Sequence, residues 1–242
     1  MQVPRRFPTT SVRRLEVAYP PDLFPVLLRL HHQLDMAALR EVQVDYCLDE
    51  NLRALIASAL ALERLTYTTD GFIPPILNDP AALRSLELMC TIVVTMDPDV
   101  TRFRDFDLGK MILNAASLNA SNLFELTLVI SLSSDYRAVE RTPSEDSFAS
   151  ALTRRLEDED CQFEALARVM AKARRSLRRL KIVVVVDDPW KLNSLRYMVP
   201  YLACSAQVLR DVVLKFLGRD VERILEVTAE HRCEADIIVY YP

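Results

Sequence analysis

The hydrophobic positions of this chain fall into a recurring beat of three, at offsets 0, 3 and 5. It is clearest in Leu39-Arg40-Glu41-Val42-Gln43-Val44-Asp45-Tyr46-Cys47. The last two apolar positions of the beat are two apart, which puts Val42 and Val44 on one side of a strand. The beat starts at residues 12, 39, 62, 83, 123, 177 and 209, from Val12-x-x-Leu15-x-Val17 through Leu62-x-x-Leu65-x-Tyr67 to Leu209-x-x-Val212-x-Leu214. An eighth strand, without the full pattern, is predicted at Ile237-Ile238-Val239-Tyr240.

Between the beats the apolar spacing changes to that of amphipathic helices. It predicts helices over 22–34, 49–62, 107–118, 163–173, 192–202 and 220–228, with a shorter turn over 74–79. Pro200 is expected to bend or shorten the fifth of these. Strands alternating with helices predict an α/β protein with a parallel sheet. Recurrence at a period that begins near two dozen residues favours a solenoid over a closed sheet. Two gaps interrupt a single array spanning 1–242. Residues 96–107, rich in Asp, read as a loop, and 133–160 read as a mobile insertion.

Composition removes several function classes. A net charge of −4 gives no overall attraction to nucleic acid or anionic membrane. No apolar run reaches the roughly 20 residues of a membrane-spanning helix. Met1-Gln2-Val3-Pro4-Arg5-Arg6 is not followed by the apolar core of a secretory signal. Five cysteines, at 47, 90, 161, 204 and 233, include no C-x-x-C and suggest neither a disulfide framework nor a zinc site. Reduced thiols in the cytoplasm or nucleus are the expectation. Gly71, Gly109 and Gly218 are the only glycines, each alone, so no G-x-G-x-x-G or Walker-type phosphate loop can form. No cofactor and no metal is expected.

Four local features could carry chemistry. Ile182-Val183-Val184-Val185-Val186-Asp187-Asp188 could present a strand-end carboxylate to Mg²⁺. Without a phosphate loop, the simpler reading is a parallel strand buried on both faces. The basic run Arg168, Lys172, Arg174, Arg175, Arg178, Arg179 and Lys181 could contact phosphate, but it contains no aromatic residue for base stacking and reads better as a solvated helix face. His31, His32 and His231 have no evident catalytic partner in the linear sequence. Trp190, after Pro189, could anchor a partner or pack beneath a turn.

The beats resemble the leucine-rich repeat family, whose motif is L-x-x-L-x-L-x-x-N/C-x-L, and look most like the irregular arrays of fungal F-box-type proteins. The resemblance runs from about Val12 to Leu214, and Cys47 fills the N/C position of its unit. It implies a right-handed solenoid with a curved parallel sheet and outer helices. No segment resembles an F-box. In such a solenoid the residues flanking each buried pair line the concave face. Here these are Arg14, Glu16, Glu41, Gln43, Asp45, Arg64, Thr66, Thr68, Ser85, Glu87, Glu125, Thr127, Arg179, Lys181, Asp211 and Lys215. Their mixed charge suits recognition of another protein. The expectation is a non-catalytic, monomeric binding scaffold that binds neither nucleic acid nor membrane. By resemblance alone, it would select substrates for a ubiquitin ligase. The alternative is a compact α/β enzyme using Asp187 and Asp188.

Overall fold

A computed structural model describes residues 10–17, 34–44, 54, 56–68, 77, 79–96, 101–104, 107–134, 144–158, 161–187 and 192–232. Short strands β1 (Thr10–Ser11) and β3 (Leu34–Asp35) pair with each other. The main sheet contains β2 (Arg14–Val17), β4 (Glu41–Val44), β5 (Arg64–Thr68), β6 (Ser85–Met96), β8 (Glu125–Ser134), β9 (Arg179–Asp187) and β10 (Leu225–Arg232). These seven run parallel and lie side by side in chain order, so the fold is α/β with an open sheet edged by β2 and β10. Among the described residues of this sheet only β7 (Thr101–Arg104) leaves the path, folding back antiparallel onto the end of β6.

The register follows the hydrophobic beat. Leu15, Val42, Leu65, Leu86, Leu126, Leu180 and Leu225 are successive cross-strand partners, and all are buried. Two residues on, Val17, Val44, Tyr67, Leu88, Leu128 and Ile182 form a second buried row. Burying each such side chain contributes about 1.5–3 kcal/mol. The first apolar residue of each beat, at Leu39, Leu62, Leu83, Leu123 and Leu177, is buried beneath the turn that enters the strand.

That turn is built the same way each time. The Glu63 and Arg64 N–H groups both donate to the Arg40 carbonyl, each at 2.8 Å. The pairs Arg84/Ser85, Phe124/Glu125 and Arg178/Arg179 donate likewise to the carbonyls of Glu63, Arg84 and Phe124. Two entries are further fixed by carboxylate caps. Asp35 Oδ1 accepts from the Ala37 N–H at the turn Met36–Ala38, and Asp79 Oδ1 accepts from the Ala81 N–H at Pro80–Ala82.

Four helices among the described residues complete the core: α1 (Leu108–Ser117), α2 (Glu145–Leu156), α3 (Phe163–Lys172) and α4 (Leu192–Leu217). Phe148 on α2 lies between Phe103 of β7 and Tyr201 of α4, with ring centroids 5.8 and 4.7 Å away. Gly218, at φ 77°, follows α4 in the left-handed region that glycine tolerates without strain.

The structure departs from the sequence reading in several places. The beat at Leu209-Val212-Leu214 is not a strand. It lies inside α4, where Met198, Tyr201, Leu202, Ser205, Leu209, Val212 and Val213 are buried at helical spacing and Leu214 is only partly buried. Offsets 0 and 3 fit either element, and Pro200 does not end the helix. The helix expected over 220–228 is instead a turn followed by β10, where Leu225 and Val227 alternate with Glu226 and Thr228. Asp211 and Lys215 are therefore helix residues and leave the sheet face. The loop expected over 96–107 contains β7. Within 133–160, α2 buries Phe148, Leu152 and Leu156 in the main core. The expected strand at 237–240, most of the helix over 22–34, Asp45, Cys47, Asp188 and Trp190 lie outside the described residues.

Leu65→Asp should cost about 4 kcal/mol or more in denaturant unfolding, because it buries a charge without a partner. Thr66→Asp, on the other face, should cost less than about 1 kcal/mol. Equal losses would contradict the register.

Candidate functional site

Side chains alternate across a strand, so the register that buries the leucine row sets a polar row on the opposite face. Its first line is Arg14, Glu41, Arg64, Ser85, Glu125 and Arg179, each the lateral neighbour of the next. The second is Glu16, Gln43, Thr66, Glu87, Thr127, Lys181 and Glu226. Thirteen of the sixteen residues expected on the concave face thus share one face: Arg14, Glu16, Glu41, Gln43, Arg64, Thr66, Thr68, Ser85, Glu87, Glu125, Thr127, Arg179 and Lys181, whereas Asp211 and Lys215 lie on α4. Asp45 lies outside the described residues.

Neighbouring strands are about 4.8 Å apart, so opposite charges on adjacent strands come within reach. Arg64 Nη1 approaches Glu41 Oε1 at 3.6 Å. Arg179 bridges two strands, with Nη2 2.9 Å from Glu226 Oε2 and Nη1 3.3 Å from Glu125 Oε1. The hydrogen bond from Glu226, then its charge and that of Glu125, hold the Arg179 guanidinium above its ordinary pKa. Arg14 pairs along its own strand with Glu16 at 3.2 Å.

The polar face does not extend along the full strands. Further toward the strand ends on the same side, Val129, Val183 and Val185 are 1–2% exposed and form a second apolar cluster with Met89. Ile182 through Val186 are all buried, so this stretch is a strand buried on both faces, as its unbroken apolar run suggested. Thr68 and Thr127 are also buried. The accessible part of the face is therefore the band near the strand starts.

A groove of about 640 Å³ opens there, at the middle of the sheet, lined by Arg64, Thr66, Arg84, Ser85, Glu87, Phe124 and Glu125. Two of these were not among the expected residues. Arg84 and Phe124 precede β6 and β8 by one residue, in the variable positions between the first two leucines of the beat. Phe124 is 53% exposed among charged neighbours. An aromatic residue in the slot that Arg40, Glu63, Arg84 and Arg178 fill elsewhere was the available signal.

Among the described residues no three or more His, Cys, Asp or Glu side chains converge as metal ligands. Asp187 closes β9, and Asp188 falls outside the described residues. Burial, followed by Asp107, pushes the Cys90 thiol pKa well up; burial, then Glu145 and Asp146, raises that of Cys204. Cys90, Cys161 and Cys204 are in no disulfide. The basic run does not lie on one helix face as expected: it passes from α3 through the following turn into β9. No helix among the described residues is long and apolar enough to cross a membrane. Comparison with family models, curated proteins and solved structures finds no match for this chain.

Two measurements follow from this geometry. A double-mutant cycle on Arg64→Ala and Glu41→Ala should give a coupling below about 1 kcal/mol, since the pair is largely exposed. A larger value would mean that the charges are committed to the fold. In a chain carrying Cys47→Ser and Cys233→Ser, a raised pKa leaves less Cys204 thiolate at any given pH. Its alkylation should therefore accelerate at a higher pH than that of free cysteine, while Cys90 and Cys161 react only on unfolding. Rapid alkylation of all three at neutral pH would contradict the burial.

Proposed function

We propose that this protein is a non-catalytic scaffold that binds another protein through the polar band of its parallel sheet. In this reading the strands, stacked in chain order and beginning with the same leucine-containing turn, are the units of an irregular leucine-rich-repeat-like solenoid with outer helices. The observation that carries the proposal is the mid-sheet groove. It combines an exposed aromatic ring, Phe124, with cations Arg64 and Arg84 and carboxylates Glu87 and Glu125. A central aromatic ringed by charged and hydrogen-bonding groups is the composition of a protein-binding hot spot. The alternating charges to either side would select the partner by complementarity. The described residues of the face are charged and hydrogen-bonding groups around an aromatic ring, a composition that supports binding.

The finer reading, drawn from the repeat resemblance, is that the bound protein is a substrate delivered to a ubiquitin ligase. A photo-crosslinking amino acid in place of Phe124 tests both levels in cell extract. A discrete set of adducts is expected, absent when the probe replaces Leu60, which is also exposed, and lost when Glu87→Lys and Glu125→Lys are added. Adducts that persist after the charge reversals, or that form equally from position 60, would contradict the face. Recovery of ubiquitin ligase subunits with the adducts is the outcome that the finer reading requires.

A further inference from the structure

We propose a second binding site, for an acidic peptide segment of a partner protein, in two adjoining grooves beneath the starts of β9 and β10. The grooves measure about 620 and 590 Å³ and share Ala171, Arg174 and Arg223 in their walls. The cations around them are Lys172, Arg174, Arg175, Arg219 and Arg223, brought together from the end of α3, the turn after it and the segment between α4 and β10. Among the described residues, Asp220 is the one carboxylate in the walls.

Pairing separates the four arginines among these from six others in the described residues, and Lys172 donates to Asn119 Oδ1 at 2.8 Å. Arg14, Arg40, Arg64, Arg155, Arg179 and Arg210 each lie against a carboxylate of the chain. Among the described residues, Arg174, Arg175, Arg219 and Arg223 have no ion pair and no side-chain hydrogen bond. Four unpaired guanidinium groups lining two adjoining grooves, with only Asp220 to oppose them in the described walls, leave a local positive field in a chain of net charge −4. Guanidinium is the group whose planar donors match carboxylates two at a time.

The floor of the first groove decides between anionic ligands. Met170, Leu177, Val221 and Ile224 make it apolar, so it suits a chain that carries a hydrophobic side chain among its carboxylates. Among the described residues, neither groove contains an aromatic ring on which a base could stack. Their combined size exceeds what a single phosphate fills. Apolar floor and cationic rim together fit an acidic peptide with one or two apolar anchors.

Fluorescence anisotropy with a short peptide of Asp and Glu around a central Leu tests the site on the intact chain. Binding should weaken as salt rises and should fall about tenfold or more in Arg174→Glu/Arg223→Glu. Arg154→Glu/Arg168→Glu changes the net charge equally outside the grooves and should bind as the parent does. If the reversed pair fails to fold by circular dichroism, Arg175→Ala/Arg219→Ala serves, with a smaller loss expected. Replacing the peptide's Leu by Ser should weaken binding several-fold. The proposal is overturned if both charge-reversed pairs lose binding equally, or if the Leu substitution has no effect. It is likewise overturned if oligothymidine or phosphatidylserine vesicles bind the grooves more tightly than the peptide does, or if the peptide does not bind.

Discussion

The structure depends on one hydrogen-bonded junction, repeated at the starts of β4, β5, β6, β8 and β9. A single backbone carbonyl just before one strand accepts two consecutive N–H groups from the residues that begin the next. Arg13, Arg40, Glu63, Arg84 and Phe124 supply these carbonyls. A two-pronged contact cannot slip by one residue without leaving buried backbone donors unmet, and that penalty is what holds register in the interior of a protein. Because every junction uses the same offset from its leucine, the leucines stack into one row and the polar positions into another. The last pair differs. Leu180 N–H donates to the Ile224 carbonyl at 2.8 Å, and the segment leading into β10 is a turn without the beat.

This junction ties the chemistry of the face to the hydrophobic core. A change of register by one residue would exchange the leucine row for the charged row, so the arrangement of Arg64, Glu87 and Glu125 is inherited from the burial of Leu65, Leu86 and Leu126. The residue whose carbonyl is shared has its side chain free for other uses. It pairs with its neighbour at Arg40 and Glu63, reaches the Asn122 carbonyl at Arg84, and stands exposed at Phe124. The groove therefore forms where the repeated turn carries its least typical residue, beside a polar band that would otherwise be self-paired.

Much of this was legible in the sequence because strand and core share a short signal. The beats at 12, 39, 62, 83, 123 and 177 placed β2, β4, β5, β6, β8 and β9, and the helices over 108–117 and 163–172 came from equally local spacing. The two exchanges of helix and strand, at 209–214 and 220–228, have one physical origin. Apolar positions at 0 and 3 satisfy a helix as well as a strand entry. Leu209, Val212 and Val213 fell to the helix because α4 packs against β9 and β10, a contact that no local window contains. The alternation in Leu225-Glu226-Val227-Thr228 was masked by Val221, Ile224 and Leu225 at helical spacing. The grooves around Arg174 and Arg223 were illegible for another reason, since their walls meet across nearly fifty residues and only the fold brings them together.

The most direct test of the repeated junction is amide hydrogen exchange at the strand entries, resolved by residue. Paired donation to a shared carbonyl predicts that Glu63 with Arg64, Arg84 with Ser85, and Phe124 with Glu125 exchange as slowly as amides within β6 and β8. Exchange of these six at the rate of open turns, while the strand interiors stay protected, would contradict the account.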